Sequence, residues 1–335
     1  MKRFVTLRIE KRGDQPPECE LTSNSNQRYP RKMRTLFFIM TSIFLAMPSA
    51  QPQAEQDLPV LRAHVDVVNI LATVRDKRDR YVADMTREDF VILEDGVHQK
   101  IAFFNYETGS DAQPLTIVLA IDTSGSVKRK LGFEQQAAAE FLTQVLQENR
   151  DMAAILQFDN DITLAQDFSF DFDTLKKAIF DIRAGGATKL YDAIYLASED
   201  ILSQEVGRRV IVVLSDGEDT HSRLSALEGI RAAQEQDIVI FGIGVRSPGG
   251  NADFDTLRRF SQSTGGVFYK ARNDLDRLRE VFSKINQEIR NQVSLGFIST
   301  NPKRDGGFRQ IEVRVQRRGL QVTHRKGYYA AEPDQ

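Results

Sequence analysis

Two apolar runs rich in branched residues, Leu115-Thr116-Ile117-Val118-Leu119-Ala120-Ile121 and Val210-Ile211-Val212-Val213-Leu214, each end at a loop of hydroxyls and carboxylates. Runs without polar alternation suit strands covered on both faces, which means a largely parallel sheet held between layers of helix. The surrounding sequence repeats the pattern. Strands are expected at Leu115 to Ile121, Ala153 to Phe158, Ile162 to Phe168, Val210 to Leu214, Ile238 to Val245 and Val267 to Lys270. Helices are expected at Phe133 to Gln147, Phe172 to Ile182, Leu190 to Ser203, Ser225 to Gln234, Phe254 to Ser263 and Leu275 to Gln292. This alternation predicts a doubly wound α/β domain over residues 113–292.

In such sheets, ligands bind in the loops beyond the carboxyl ends of the strands. Asp122 directly follows the first run, and Asp216 follows the second after Ser215. Asp122, Ser124 and Ser126 alternate along Asp-Thr-Ser-Gly-Ser, with Gly125 relaxing the backbone, so their oxygens can converge. A third fragment, Gly185-Gly186-Ala187-Thr188, adds another hydroxyl. Hydroxyls and carboxylates are hard donors, and no Cys or His accompanies them, so magnesium or manganese suits the set better than zinc or copper. A lone D-x-S-x-S is weak evidence, because Asp and Ser also populate ordinary turns and helix caps. Three fragments in this order are far more specific.

Together they resemble the metal-ion-dependent adhesion site of von Willebrand factor type A (VWA) domains, whose motif is D-x-S-x-S, a later Thr and a later Asp. The resemblance implies a Rossmann-like fold and a ligand set of Asp122, Ser124, Ser126, Thr188 and Asp216. The hydroxyls would coordinate the ion and the aspartates would hold it directly or through water. It also implies one coordination position that accepts an Asp or Glu carboxylate from a partner protein. That fits the chemistry, because a cation with few directly bound negative charges still attracts another anion. Asp192, four residues after Thr188, could orient a ligand from one shell further out, or simply be an acid in a helix's first turn. Glu218 and Asp219 read as loop charge rather than ligands.

The flanks are β-rich. Residues 58–112 contain an Asp95-Gly96 hairpin signal, with Thr86-Arg87-Glu88-Asp89 able to cap a helical turn before it. Residues 293–330 alternate Ile311, Val313 and Val315 with polar neighbours. Neither flank has enough strands for its own core, so the two are expected to pair as one small β-sandwich into which the α/β domain is inserted. This organisation is similar to a bacterial group of type A domain proteins abundant in acidobacteria. That group carries Asp-Phe-x-(apolar)-x-Glu-Asp-Gly before the domain and Gly-Tyr-Tyr after it, here Asp89 to Gly96 and Gly327-Tyr328-Tyr329. The turn at Asp76-Lys77-Arg78-Asp79-Arg80 departs from that group, in which a glycine is expected.

Residues 1–50 read as a leader: a polar extension over 1–32, then a secretory signal over 33–50 with the apolar stretch Leu36 to Met47. Met33 is the expected start, and an uncleaved membrane anchor is the alternative. Cys19 would leave with the leader, and a chain without cysteine points to a bacterial envelope or secreted protein rather than an extracellular animal domain. The formal net charge of -2 gives no general attraction to nucleic acid. Basic residues gather near the C-terminus at Lys303, Arg304, Arg309, Arg314, Arg317, Arg318, Arg325 and Lys326, either as a contact for an acidic partner or as charge on an exposed strand edge.

Enzyme signatures are missing. There is no G-x-x-x-x-G-K-[ST] loop, no G-x-S-x-G elbow and no H-E-x-x-H pair. Gly242-Ile243-Gly244 lacks the third glycine of a dinucleotide fingerprint, Ser247 standing there. The expectation is an exported, non-catalytic module, periplasmic, cell-surface or secreted, that captures a partner carboxylate through magnesium or manganese. The alternative is a structural scaffold in which the cation only stabilises loops, and a magnesium-dependent hydrolase stands further off.

Overall fold

The computed structural model describes residues 5–10, 18–22, 67–107, 112–245, 252–271 and 274–331. Two strands come first, β1 (Val5–Glu10) and β2 (Glu18–Thr22). Four more precede the α/β portion: β3 (Val67–Asp76), β4 (Phe90–Glu94), β5 (Val97–Gln99) and β6 (Ile101–Tyr106). Then follow β7 (Leu115–Asp122), α1 (Leu131–Val145), β8 (Met152–Phe158), β9 (Ile162–Ser169), α2 (Phe172–Asp181) and α3 (Leu190–Leu196). The α/β portion finishes with β10 (Arg208–Ser215), α4 (Ala226–Glu235), β11 (Val239–Val245), α5 (Phe254–Thr264), β12 (Phe268–Ala271) and α6 (Leu275–Arg290). Four strands close the described chain: β13 (Gln292–Ile298), β14 (Phe308–Val315), β15 (Leu320–His324) and β16 (Gly327–Tyr329).

The main sheet runs β12-β11-β10-β7-β8-β9-β1-β2, parallel from β12 to β8 and antiparallel thereafter. Every residue of β7 is buried, as its unbroken apolar run requires. Ile117, Leu119 and Ile121 face the core shared with α1, α2 and α6, whereas Val118 and Ala120 face the core shared with α3, α4 and α5. The chain winds to opposite sides of β7, so the order reverses between β7 and β10, and this is where an α/β sheet opens a crevice.

Helix α3 stops at Leu196 and continues as a wider π turn over Ala197–Leu202, where one regular helix to Ser203 was expected. Ser198 Oγ bonds back to the Ile194 carbonyl at 2.8 Å, a contact that bends helices. Gly242 and Gly244 have a packing role: an added Cβ would lie 3.0 Å from Ser261 Oγ or 2.7 Å from the Phe254 ring, so both let α5 approach β11.

The strands flanking the α/β portion form two four-stranded sheets, β15-β3-β13-β6 and β16-β14-β4-β5. Their inner faces share one core, with Ile70, Val74, Leu295 and Phe297 from the first and Ile92, Ile311 and Val313 from the second. Strand β6 leads into the α/β portion and β13 leaves it, and the two pair directly, Phe104 opposite Leu295. The expected sandwich with an inserted domain is therefore present. In the hairpin between β4 and β5, Asp95 and Gly96 both have positive φ, 47° and 82°, as a two-residue type I′ turn demands. The Asp76–Arg80 turn closes without glycine: Asp79 itself takes φ 60°, and the Asp76 carboxylate accepts from Arg78 N at 2.8 Å and Arg80 N at 3.0 Å.

The two motif stretches meet inside the sandwich. Tyr328 Oη donates to Glu94 Oε1 at 2.5 Å and Ser299 Oγ to Glu94 Oε2 at 2.6 Å, around a carboxylate that is 2 % exposed. Tyr328→Phe leaves that buried acid short of a donor. It should cost about 1–3 kcal/mol, readable as a shifted denaturant midpoint at unchanged slope.

Residues 1–32 were expected to take no part in the fold, yet β1 and β2 pair as a hairpin on the edge strand β9. Val5, Leu7 and Ile9 alternate with Thr6, Arg8 and Glu10, the period of a strand. The apolar stretch Leu36 to Met47 and Ser247 lie outside the described residues. Among the described residues no helix is long and apolar enough to cross a membrane.

Candidate metal centre

Strands β7 and β10 are neighbours, with Ile121 opposite Leu214, so their carboxyl ends deliver Asp122 and Asp216 side by side. Asp122 is wholly buried, and both of its oxygens are engaged: Oδ1 accepts from Ser124 N at 2.9 Å and Oδ2 from Ser215 Oγ at 2.6 Å. It thereby fixes the turn that carries the two serines. Ser124 Oγ lies 3.0 Å from Ser126 Oγ, which in turn donates to Asp216 Oδ2 at 3.0 Å. Ser126 and Gly125 are exposed, whereas Ser124, Asp216 and Thr188 are buried. The result is a chain of oxygens with one vertex in solvent.

Thr188 enters from the loop after α2. Two backbone bonds tie this loop to the serine turn, Gly125 N to Gly186 O at 2.9 Å and Gly185 N to Thr123 O at 2.7 Å. The loop after β10 holds Thr188 from the other side: Thr188 N donates to Thr220 Oγ1 at 3.0 Å, and His221 N donates to Thr188 O at 2.9 Å. The structure thus joins the loops of all five expected ligands. Asp192 Oδ1 accepts from Arg223 N at 2.9 Å and Leu224 N at 3.0 Å, so it anchors the end of the loop that grips Thr188. Glu218 donates its backbone N–H to Asp216 Oδ1 at 3.3 Å.

Sequence reasoning missed two features. Asp219 Oδ2 accepts from Tyr191 N at 3.1 Å and from Ser222 Oγ at 2.5 Å, which fixes the start of α3 against the Asp216 loop. Lys130 and Glu134 form an ion pair at 3.6 Å that is almost completely buried, and Lys130 Nζ also donates to the Val245 carbonyl at the end of β11. The Lys-x-x-x-Glu spacing was visible, but in a helix's first turn it reads as a solvated pair.

Burial dominates the site's electrostatics. It pushes Asp122 from 3.8 up to about 6, against the Ser215 and Ser124 hydrogen bonds and with the Asp216 charge adding to the rise. Burial likewise pushes Glu134 up to about 7, although Lys130 opposes this. Burial also raises Asp192, opposed by the Leu224 and Arg223 amides.

Oxygens 3.0 Å apart suit a small hard cation, since adjacent ligands in an octahedron at magnesium–oxygen distances are roughly 2.9 Å apart. Among the described residues no cluster of three or more His, Cys, Asp or Glu forms, so a cation here would depend on hydroxyls as well as two carboxylates.

The von Willebrand factor type A domain family matches residues 116–284, which include every residue of this centre, and the chain belongs to that family. Divalent-metal binding is a common property of such domains. The chain is similar to calcium-activated chloride channel regulator 3A-1 of Mus musculus, 29 % identical over 183 residues, 51 % of this chain. It spans 19 % of that relative's length. A von Willebrand factor type A protein from Catenulispora acidiphila shares 12 % identity at a TM-score of 0.48, over 82 % of this chain and 76 % of that one. Proximal thread matrix protein 1 from the mussel byssus, with a zinc-occupied MIDAS motif, shares 16 % identity at a TM-score of 0.47, over 58 % and 49 %. At these values the structural likenesses carry no functional weight.

Proposed function

We propose that the chain is an exported, non-catalytic binding module that holds Mg2+ or Mn2+ at Ser124, Ser126, Thr188, Asp122 and Asp216 and uses it to capture an Asp or Glu carboxylate of a partner protein. The observation that carries this reading is the run Ser124–Ser126–Asp216, with contacts of 3.0 Å and its Ser126 vertex open to solvent. Hydroxyl ligands are neutral, and Asp122 already spends both oxygens on Ser124 and Ser215. A cation held mainly by such donors keeps charge to share with an incoming anion.

The scaffold alternative, in which the ion merely ties loops, is weakened by the bonds from Gly125 to Gly186 and from Gly185 to Thr123, which already join those loops. A serine-nucleophile hydrolase would want a histidine base on one of its serines. The serine hydroxyls instead bond each other and Asp216, while His221 Nδ1 pairs with Thr220 Oγ1 at 3.0 Å.

The immobilised chain should retain a partner in magnesium and release it into a chelator, and Ser126→Ala should retain none. Retention that survives the chelator would contradict the proposal.

A further inference from the structure

At least half of the eight basic residues of the C-terminal segment are neutralised within the chain. Arg309 pairs with Asp305, Arg314 with Glu312, Arg317 with Asp89 and Asp84, and Arg325 with Asp237. Lys326 differs. Among the described residues, neither its ammonium group nor the Arg259 guanidinium on α5 has a hydrogen bond or ion pair.

Both cations line one open cleft of about 630 Å³ between α4 and α5 on one side and β14 and β16 on the other. Its apolar surface comes from Leu227, Ile230, Phe308, Ile311 and Tyr329, and among the described residues no carboxylate lines it. Leu227 is 60 % and Phe308 45 % exposed, large side chains that water covers poorly. The wall is set in advance: the Phe308 and Tyr329 rings meet edge-on at 5.3 Å, and Arg231 lies over Tyr329 at 4.8 Å. None of these residues belongs to the loops of the metal centre.

We infer that this cleft docks an extended segment of a partner protein in which a large apolar side chain stands beside a carboxylate. Apolar burial against Leu227 and Phe308 supplies the affinity, and the two unpaired cations select the acidic neighbour. The cleft is open to solvent along Leu227 and Phe308, which suits a segment laid across the surface rather than an enclosed small molecule. The inference is independent of the metal reading, because no ion takes part.

The test is fluorescence anisotropy on the full chain in a chelator, with a labelled heptapeptide that alternates Glu with Leu and Phe as the probe. Saturable binding is expected, about tenfold weaker for the Arg259→Glu, Lys326→Glu double variant and similarly reduced for Leu227→Ser. Peptides with Lys in place of Glu, or Ser in place of Leu and Phe, should not bind. Both cations are exposed, so their reversal leaves the core untouched. The inference is overturned by absence of saturation at millimolar peptide, by equal binding to wild type and double variant, or by binding of the basic peptide. Dodecanoate that displaces the peptide and binds more tightly would assign the cleft to small amphiphiles. A wild-type dimer in sedimentation that Lys326→Glu dissolves would assign it to a second copy. Either result overturns the inference.

Discussion

Gly217→Ala should destabilise the chain by about 2–5 kcal/mol and disable the metal centre together with it. Gly217 follows Asp216 directly and has φ 82°, a left-handed conformation that suits glycine. Space is the larger obstacle. A Cβ there would stand 2.1 Å from the Asp253 carbonyl oxygen, a backbone atom just before α5 that cannot rotate away. Either the loop after β10 or the start of α5 must move. If the loop moves, Asp216 leaves Ser126, and Thr188 loses the grip of Thr220 and His221. Denaturant unfolding reads the stability, and a magnesium titration of the surviving folded fraction reads the site. A variant as stable as wild type that binds the ion equally would refute the geometry assigned to this loop.

Magnesium should stabilise the chain more at pH 7 than at pH 5. In the metal-free site, burial raises Asp122 from 3.8 to about 6. Between those values the folded chain keeps a proton that the unfolded chain has released. The favourable contribution is therefore present at low pH and is lost as pH rises through about 6, a difference worth about 3 kcal/mol. The ionised carboxylate is left buried beside Asp216, at a cost that a divalent cation offsets. Protons and metal thus compete for Asp122, so affinity should fall up to about tenfold per pH unit below about 6. Thermal unfolding with and without magnesium at pH 5, 6 and 7 measures the increment directly, because groups remote from the site cancel. An increment independent of pH would show that Asp122 does not titrate with the metal.

The features that could be read from the sequence were local ones. Unbroken runs such as Val210 to Leu214 announce buried parallel strands, and Asp95-Gly96 announces a hairpin, because each is decided within a few residues. The three fragments of the candidate site stand out for the same reason: Asp122, Ser124 and Ser126 lie within five residues, and the other two fragments keep their own turn chemistry. What escaped depends on contacts across the chain. Whether Lys130 is solvated or buried is decided by Val245, 115 residues away. Asp219 becomes a support only because the fold brings Tyr191, 28 residues back, against it. The β1–β2 hairpin has a strand's alternation, but it needs the free edge of β9 to pair with, and no property of residues 5–22 shows that edge.

The most direct test is a calorimetric magnesium titration of the full chain, wild type beside Ser126→Ala. Ser126 is exposed, so its hydroxyl can be removed without opening a cavity in the core. One saturable site is expected in the wild type. The variant should bind at least about tenfold more weakly while still folding in a chelator, its stability lowered by no more than about 1–3 kcal/mol as Asp216 loses a donor. No binding by the wild type, or equal binding by both proteins, would contradict a cation held by Ser124, Ser126, Thr188, Asp122 and Asp216.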